Sequence, residues 1–187
     1  MRKYGVSVEE WLAACEAAGP GVRVEIVDGE FVMHRVGGNP HHFVSYRLAE
    51  ELMRQWPGVI ASPPAQWALE FAEDGEMITS RVPDVLVDGE SLVNDPVFVG
   101  VPHAVAEVWS PTNTVKEMNR KRSEYREAGA PVFIEAFLTD TLDVHLEWLV
   151  LKDDRWVHVA AASGTGELRV EGERPFSVVP NALLRPL

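Results

Sequence analysis

The chain has a single cysteine, Cys15, so no intramolecular disulfide can form. That usage suits a reducing cytoplasm, where thiols stay reduced. No apolar run approaches the ~18 residues of a membrane span. The opening residues, Met1 to Glu10, lack the apolar core of a signal peptide. The expectation is a soluble cytoplasmic protein with no membrane partner. Positive charge is scarce: 17 Lys and Arg stand against 29 Asp and Glu, a net charge of −12. Phosphate backbones are held by clustered Lys and Arg, so the charge argues against broad, non-specific binding to nucleic acid, and any such site needs a local basic patch. CxxC, HExxH, GxGxxG and Walker patterns are missing, and Ser110-Pro111 has no GxSxG context.

What is present fits one domain over 1–187, with residues 1–21 as a helix appended to the core. Ser7-Val8-Glu9-Glu10 has the pattern of a capping box and opens a helix over roughly 8–18, ended by Gly19, Pro20 and Gly21. Arg23 to Met33 reads as a hairpin turning at Asp28-Gly29. Asn39-Pro40 opens a second helix with Asn39 as N-cap. Its buried stripe is Val44, Leu48 and Leu52, with Tyr46 and Met53 near it, and it ends before Pro57-Gly58. An extended segment begins at Pro63-Pro64, Gln66 to Phe71 is a strand, and Asp74-Gly75 turns. Pro83 to Val87 and Ala104 to Trp109 are apolar strands, the second central. Thr114-Val115-Lys116-Glu117 repeats the capping-box pattern and opens a helix to about Ala128, with Gly129 as its C-cap. A strand starts at Val132. Residues 142–170 alternate like a meander turning at Asp153-Asp154, with Trp148 and Trp156 as half-buried aromatics. The order predicts an α/β or α+β fold with a mixed sheet.

Three features bear on chemistry. Asp84 opens an apolar strand and Glu107 sits inside the most apolar one, where a carboxylate is costly unless paired or metal-bound. Val105, Glu107 and Trp109 share one strand face. Taken alone, Asp84 is equally a turn residue after proline, and Glu107 an edge-strand charge or a buried ion pair. The third feature is the helix after Glu107, where Lys116, Arg120, Lys121, Arg122 and Arg126 supply the local basic patch. Glu117, Lys121 and Tyr125 share a face, and on spacing alone a solvated Glu117–Lys121 pair is the preferred reading. His41-His42 reads first as polar residues at a helix start. Two carboxylates on adjacent strands can hold Mg²⁺ or Mn²⁺ through oxygen. Such a metal lowers the pKa of a bound water, and a nearby lysine stabilises the developing anion.

The ordered set of motifs resembles the Uma-type restriction endonuclease family, a branch of the PD-(D/E)xK fold. Val24-Glu25-Ile26-Val27-Asp28-Gly29-Glu30 is similar to its opening hairpin, and His41 with Val44 and Leu48 to its second helix. Pro83-Asp84-Val85-Leu86-Val87 resembles its PDV strand, and Glu107-Val108-Trp109-Ser110-Pro111-Thr112 its EVLSPST segment. Glu117, Lys121, Tyr125, Gly129 and Pro131 fall on its helix and turn. Pro175-Phe176 and the closing Val-Pro-Asn-Ala-Leu are similar to its terminal strand. The resemblance implies a restriction-endonuclease-like core with Asp84 and Glu107 as metal ligands. It implies that Lys121 stands in for the lysine that the wider superfamily carries two residues after the glutamate, where this chain has Trp109. Glu117 replaces the family's usual aspartate, and the acid near the end of its EYWIVDP strand is missing from Val132 to Phe137. His41, Arg120 and Tyr125 are the expected substrate contacts. The function expected is metal-dependent hydrolysis of nucleic acid, with DNA first, by a possible homodimer. The alternative is a non-catalytic nuclease-fold scaffold for binding or dimerisation. A small-molecule pocket between hairpin and sheet has little in the sequence to support it.

Overall fold

The structure is a computed structural model that describes residues 4–35, 38–62, 65–89, 92, 95–111 and 113–185. Pro63-Pro64 and Thr112 therefore lie outside the described residues, as does the side chain of Asn39. The elements run α1 (Val8–Ala18), β1 (Val22–Val27), β2 (Glu30–Arg35), α2 (Asn39–Gln55), β3 (Ile60–Ser62), β4 (Gln66–Phe71), β5 (Met77–Arg81), β6 (Val85–Asp88), β7 (Val97–Val99) and β8 (Ala104–Trp109). Then follow α3 (Val115–Glu127), β9 (Val132–Leu138), β10 (Val144–Lys152), β11 (Arg155–Ser163), β12 (Leu168–Val170), β13 (Phe176–Val178) and a 3₁₀ turn at Pro180–Leu184.

Among the described residues the strands form two main sheets and a small hairpin. The first sheet has the order β2-β1-β5-β4-β7 and the second β11-β10-β9-β8-β6-β3, while β12 pairs with β13. The β8/β9 pair is parallel, which requires a crossover, and α3 supplies it. β8 is central, as its nearly uncharged sequence predicts.

Period-two alternation decides what each face of the second sheet meets. Val85 and Val87 on β6, with Ala104, Ala106 and Val108 on β8, pack with Val44, Leu48 and Leu52 of α2. The intervening residues Leu86, Val105, Trp109 and Phe133 pack with Tyr125 of α3 and with Trp67 and Phe98 from the first sheet. So α3 lies against both sheets, and the faces of Asp84 and Glu107 turn toward it.

The local signals explain most boundaries. The Ser7 side chain and Glu10 complete a reciprocal capping box. Asp28 and Gly29 have φ of 54° and 82°, the paired positive angles that suit a two-residue hairpin. Ala128 is the C-cap of α3 and Gly129, at φ 78°, follows it. Gly129 N–H bonds to Arg126 O and Ala130 N–H to Tyr125 O, a Schellman closure.

Some expectations change. The N-cap of α2 is Gly38, one residue before Asn39: its extended backbone supplies the cap, and its carbonyl accepts from His42 N–H at 3.3 Å. Tyr46 and Met53 are exposed beside the stripe. Trp148 is fully buried, against Trp56 and Phe176. Strand β5 shows no apolar alternation, because its buried Thr79, Ser80 and Arg81 are matched by polar partners inside the protein.

Gly29 gives a test of this frame. A Cβ there would stand 2.3 Å from the Tyr4 carbonyl oxygen, at a left-handed backbone angle. Gly29→Ala is expected to lower the unfolding free energy by roughly 1–3 kcal/mol, read by urea denaturation.

Candidate active site

Antiparallel β6 and β8 pair Val85 with Ala106. One step further along that register brings Asp84 opposite Glu107, on the face that α3 covers. From α3, Lys121 reaches down so that its Nζ lies 2.9 Å from Glu107 Oε1 and 3.4 Å from Glu25 Oε1. All three named residues line one cleft of about 290 Å³. Asp84 and Glu107 are each 2% exposed and Lys121 6%.

Each carboxylate has its own partners. Asp84 Oδ1 pairs with Arg23 NH1 at 2.5 Å, while Oδ2 lies 3.0 Å from His41 Nε2 and accepts from Val108 N–H at 2.8 Å. Glu107 Oε1 accepts from Tyr125 Oη at 2.5 Å and from Lys121 Nζ. Both of these bonds fall on Oε1, and Oε2 carries no hydrogen bond among the described residues. Glu25 accepts from Arg81 NH1 at 2.7 Å and Val82 N–H at 3.0 Å. Arg81 in turn grips Glu124 of α3 with Nε and NH2, at 2.7 and 2.8 Å.

These contacts divide the acids. Burial pushes the Asp84 carboxyl up, yet His41, Arg23 and Lys121 together hold it well below its ordinary value. Burial dominates at Glu107, and with the Asp84 charge it raises that carboxyl to about 7 against the opposing pull of Lys121 and Tyr125. Burial would lower Lys121, but Glu107, Glu25 and Asp84 lift it above the usual lysine range. The cleft thus holds a charged ammonium amid three carboxylates, of which Glu107 is the least compensated.

The solvated Glu117–Lys121 pair favoured by spacing is not what the helix makes, because Lys121 is buried on Glu107 and Glu25. The expected basic patch on α3 also dissolves. Arg120 pairs with Glu124 and Asp28, Arg122 with the buried Glu135, and Arg126 with Glu127. Arg120, expected to touch substrate, lines a neighbouring hollow with Asp28 and Glu124. Tyr125 is fully buried and holds Glu107 instead of facing a ligand. His41 does line the cleft.

A family model described as "Putative restriction endonuclease" (Uma2) matches residues 8–177. The chain belongs to the Uma2 family. A solved structure from Anabaena variabilis ATCC 29413, described as a "putative nuclease belonging to DUF820", superposes with a TM-score of 0.57. That match has 12% identity and covers 85% of this chain and 84% of the other, a likeness of fold. Among curated proteins, none matches the chain in sequence.

Nucleases of the restriction-endonuclease type generally use divalent metals. Among the described residues no group of three or more His, Cys, Asp or Glu side chains is arranged to hold an ion. The donor set here is two facing carboxylates and neighbouring backbone in one cleft. That suits Mg²⁺, which binds few protein oxygens and keeps much of its water. Glu107 Oε2 is the atom best placed by its lack of a partner, so the residues fit such an ion.

Further residues of the cleft come from charged positions in otherwise apolar strands. Arg23 and Glu25 alternate with Val24 and Ile26 on β1, so one face of that strand is charged while the other is core. Arg81 sat in a segment without a recognisable pattern, and Glu135 lies in the strand from Val132, where its partner Arg122 on α3 compensates its burial.

The Glu25 cluster predicts an acid limb in stability. Burial pushes Glu25 up, but Lys121, His34, Arg81 and the Val82 N–H hold it far below the ordinary 4.5. A folded-state value lowered in this way stabilises the protein above about 4.5, and that contribution is lost as pH falls further. Denaturation midpoints of the wild type are expected to fall steadily below pH 4.5, and those of Glu25→Gln to be flatter over the same window. Parallel curves for the two proteins would show that Glu25 does not contribute.

Proposed function

We propose that the chain hydrolyses phosphodiester bonds of nucleic acid, DNA in the first instance, with Mg²⁺ or Mn²⁺ held by Asp84 and Glu107. The observation that carries this reading is the meeting of Asp84, Glu107 and Lys121 in one cleft, with Lys121 Nζ on Glu107 Oε1 at 2.9 Å. A divalent ion there would lower the pKa of a bound water and neutralise charge on the phosphate.

The chain's own residues set the stage. Asp84 stays ionised, oriented by Arg23, His41 and the Val108 N–H. Tyr125 fixes the Glu107 carboxylate through Oε1, and Oε2 is without a hydrogen bond among the described residues. Lys121 presents a fixed positive charge beside the two ligands, where charge builds up on an attacked phosphate. The low-dielectric walls strengthen that interaction relative to water.

A non-catalytic scaffold is the second reading. It is favoured by one observation: both Asp84 oxygens are already satisfied by three donors of the chain. A homodimer belongs to the proposal as well, since closed two-fold pairs are common and a duplex has two strands.

Single- and double-stranded DNA and RNA, with Mn²⁺ at low salt, make the assay. Lys121→Gln is expected to cut about 10²–10³ slower, by comparison with the loss of one transition-state donor. It also leaves Glu107 and Glu25 facing each other, which costs about 3–5 kcal/mol of stability, so it needs a companion. Glu107→Gln keeps Lys121 compensated by Glu25, and calorimetry should find its Mn²⁺ binding lost. Equal Mn²⁺ affinity in the two proteins would remove Glu107 from the metal site. A wild type that cuts none of the four substrates would leave the scaffold as the better reading. Light scattering is expected to give twice the 20.8 kDa chain mass, and a monomer at high concentration counts against the dimer.

A further inference from the structure

Beside the cleft lies a second cavity of about 280 Å³, and Arg23 is the wall they share. Its lining includes the buried Trp11 and Phe98 and the exposed Asp95. Two polar atoms in this cavity's lining residues are buried and carry no partner among the described residues: Gln66 Oε1, an acceptor, and Arg23 Nε–H, a donor. Gln66 is 4% exposed. Its amide is held from the other end, where Nε2 donates to Ser80 Oγ, so Oε1 is the free end of a fixed group. A buried acceptor or donor left unpaired is costly and uncommon in folded proteins. Here one of each lies beside aromatic rings, next to the proposed phosphate site.

We infer that this cavity is a subsite for one unstacked nucleobase of the strand being cut. Each natural base carries a donor next to an acceptor on its pairing edge, which meets the needs of Gln66 Oε1 and Arg23 Nε–H. Its flat faces stack on aromatic side chains such as Trp11 and Phe98 with little regard to sequence. Proteins that take a base out of the stack read it in this way, by its pairing edge and by stacking. The volume lies at the small end of ligand pockets, which start near about 300 Å³, and suits a single ring system better than a longer ligand. The substrate class is then a single strand, or a duplex position whose base can be extruded. Because Arg23 also holds Asp84, base and phosphate would sit on either side of one guanidinium. The assignment to a cut strand rests on the nuclease reading; the base-binding cavity itself does not.

Cys15 reports on the cavity without any mutation, since it lines it and is the chain's one cysteine. The experiment follows alkylation of Cys15 by iodoacetamide in the metal-free protein, using mass spectrometry. AMP, CMP, GMP, UMP and ribose 5-phosphate are the probes. At least one nucleotide is expected to slow alkylation by about an order of magnitude near saturation, while ribose 5-phosphate leaves the rate unchanged. Gln66→Met removes the acceptor at similar size and should weaken that protection about tenfold. If this variant fails to fold, the contrast between nucleotide and sugar phosphate in the wild type still decides. No protection by any nucleotide overturns the subsite. So does equal protection by ribose 5-phosphate, which would mark a plain anion site. Nothing is cut in this experiment, so the two readings fail separately. A chain that cleaves nucleic acid without protecting Cys15 loses only the base pocket, and one that protects Cys15 without cleaving loses only the nuclease.

Discussion

The Lys121 ammonium is the point on which the arrangement turns. It is buried between Glu107 on the second sheet and Glu25 on the first, so one charge from α3 joins both sheets. A buried lysine is costly unless paired, and each acid near it would be costly without it. Arg81 repeats the pattern one layer away, held between Glu25 and Glu124. These two cations bind the charged face of β1 to α3. Aromatic contacts complete the join, with Trp67 stacked on Tyr125 at 5.4 Å and Phe133 edge-on to the same ring at 5.6 Å.

The acidity of the chain takes on a different meaning in this light. The arginines of α3 are paired with acids and do not form an uncompensated phosphate-binding stripe. They are spent on Glu124, Asp28, Glu135 and Glu127. A nucleic acid therefore finds no extended basic track on this helix. The basic side chains that line the cleft beside the paired carboxylates are Lys121 from α3 with Arg23, His34, Arg35 and His41 from the hairpin and the start of α2. If the proposed substrate binds there, affinity drawn from so few phosphate contacts would fall only gently with salt, in contrast to proteins that track a backbone over many contacts.

Much of the frame was legible because its signals are local. Capping at Ser7 and the Asp28-Gly29 turn each need only a few residues, and the apolar run from Ala104 to Trp109 identifies a central strand by itself. The opposition of Asp84 and Glu107 also follows from alternation once the two strands are paired. What was not legible depends on distant partners. Nothing within α3 tells that Lys121 turns inward while Arg120 turns out, since the deciding acids, Glu25 and Glu107, lie on two other elements. β5 was missed for the same reason: Ser80 and Arg81 are buried against Gln66, Glu25 and Glu124, none of them close in sequence.

That dependence orders the assembly of the molecule. Glu25, Asp84 and Glu107 all precede α3 in the chain, and Lys121 comes last. Sheets closing before α3 docks would press Glu107 toward Glu25 and Asp84 with no ammonium between them, and like charges in a low dielectric repel strongly. Completing the cleft joins Glu25 to Lys121 across about half of the chain, the kind of long-range contact that slows folding. The charges that line the cleft also tie its completion to the docking of α3.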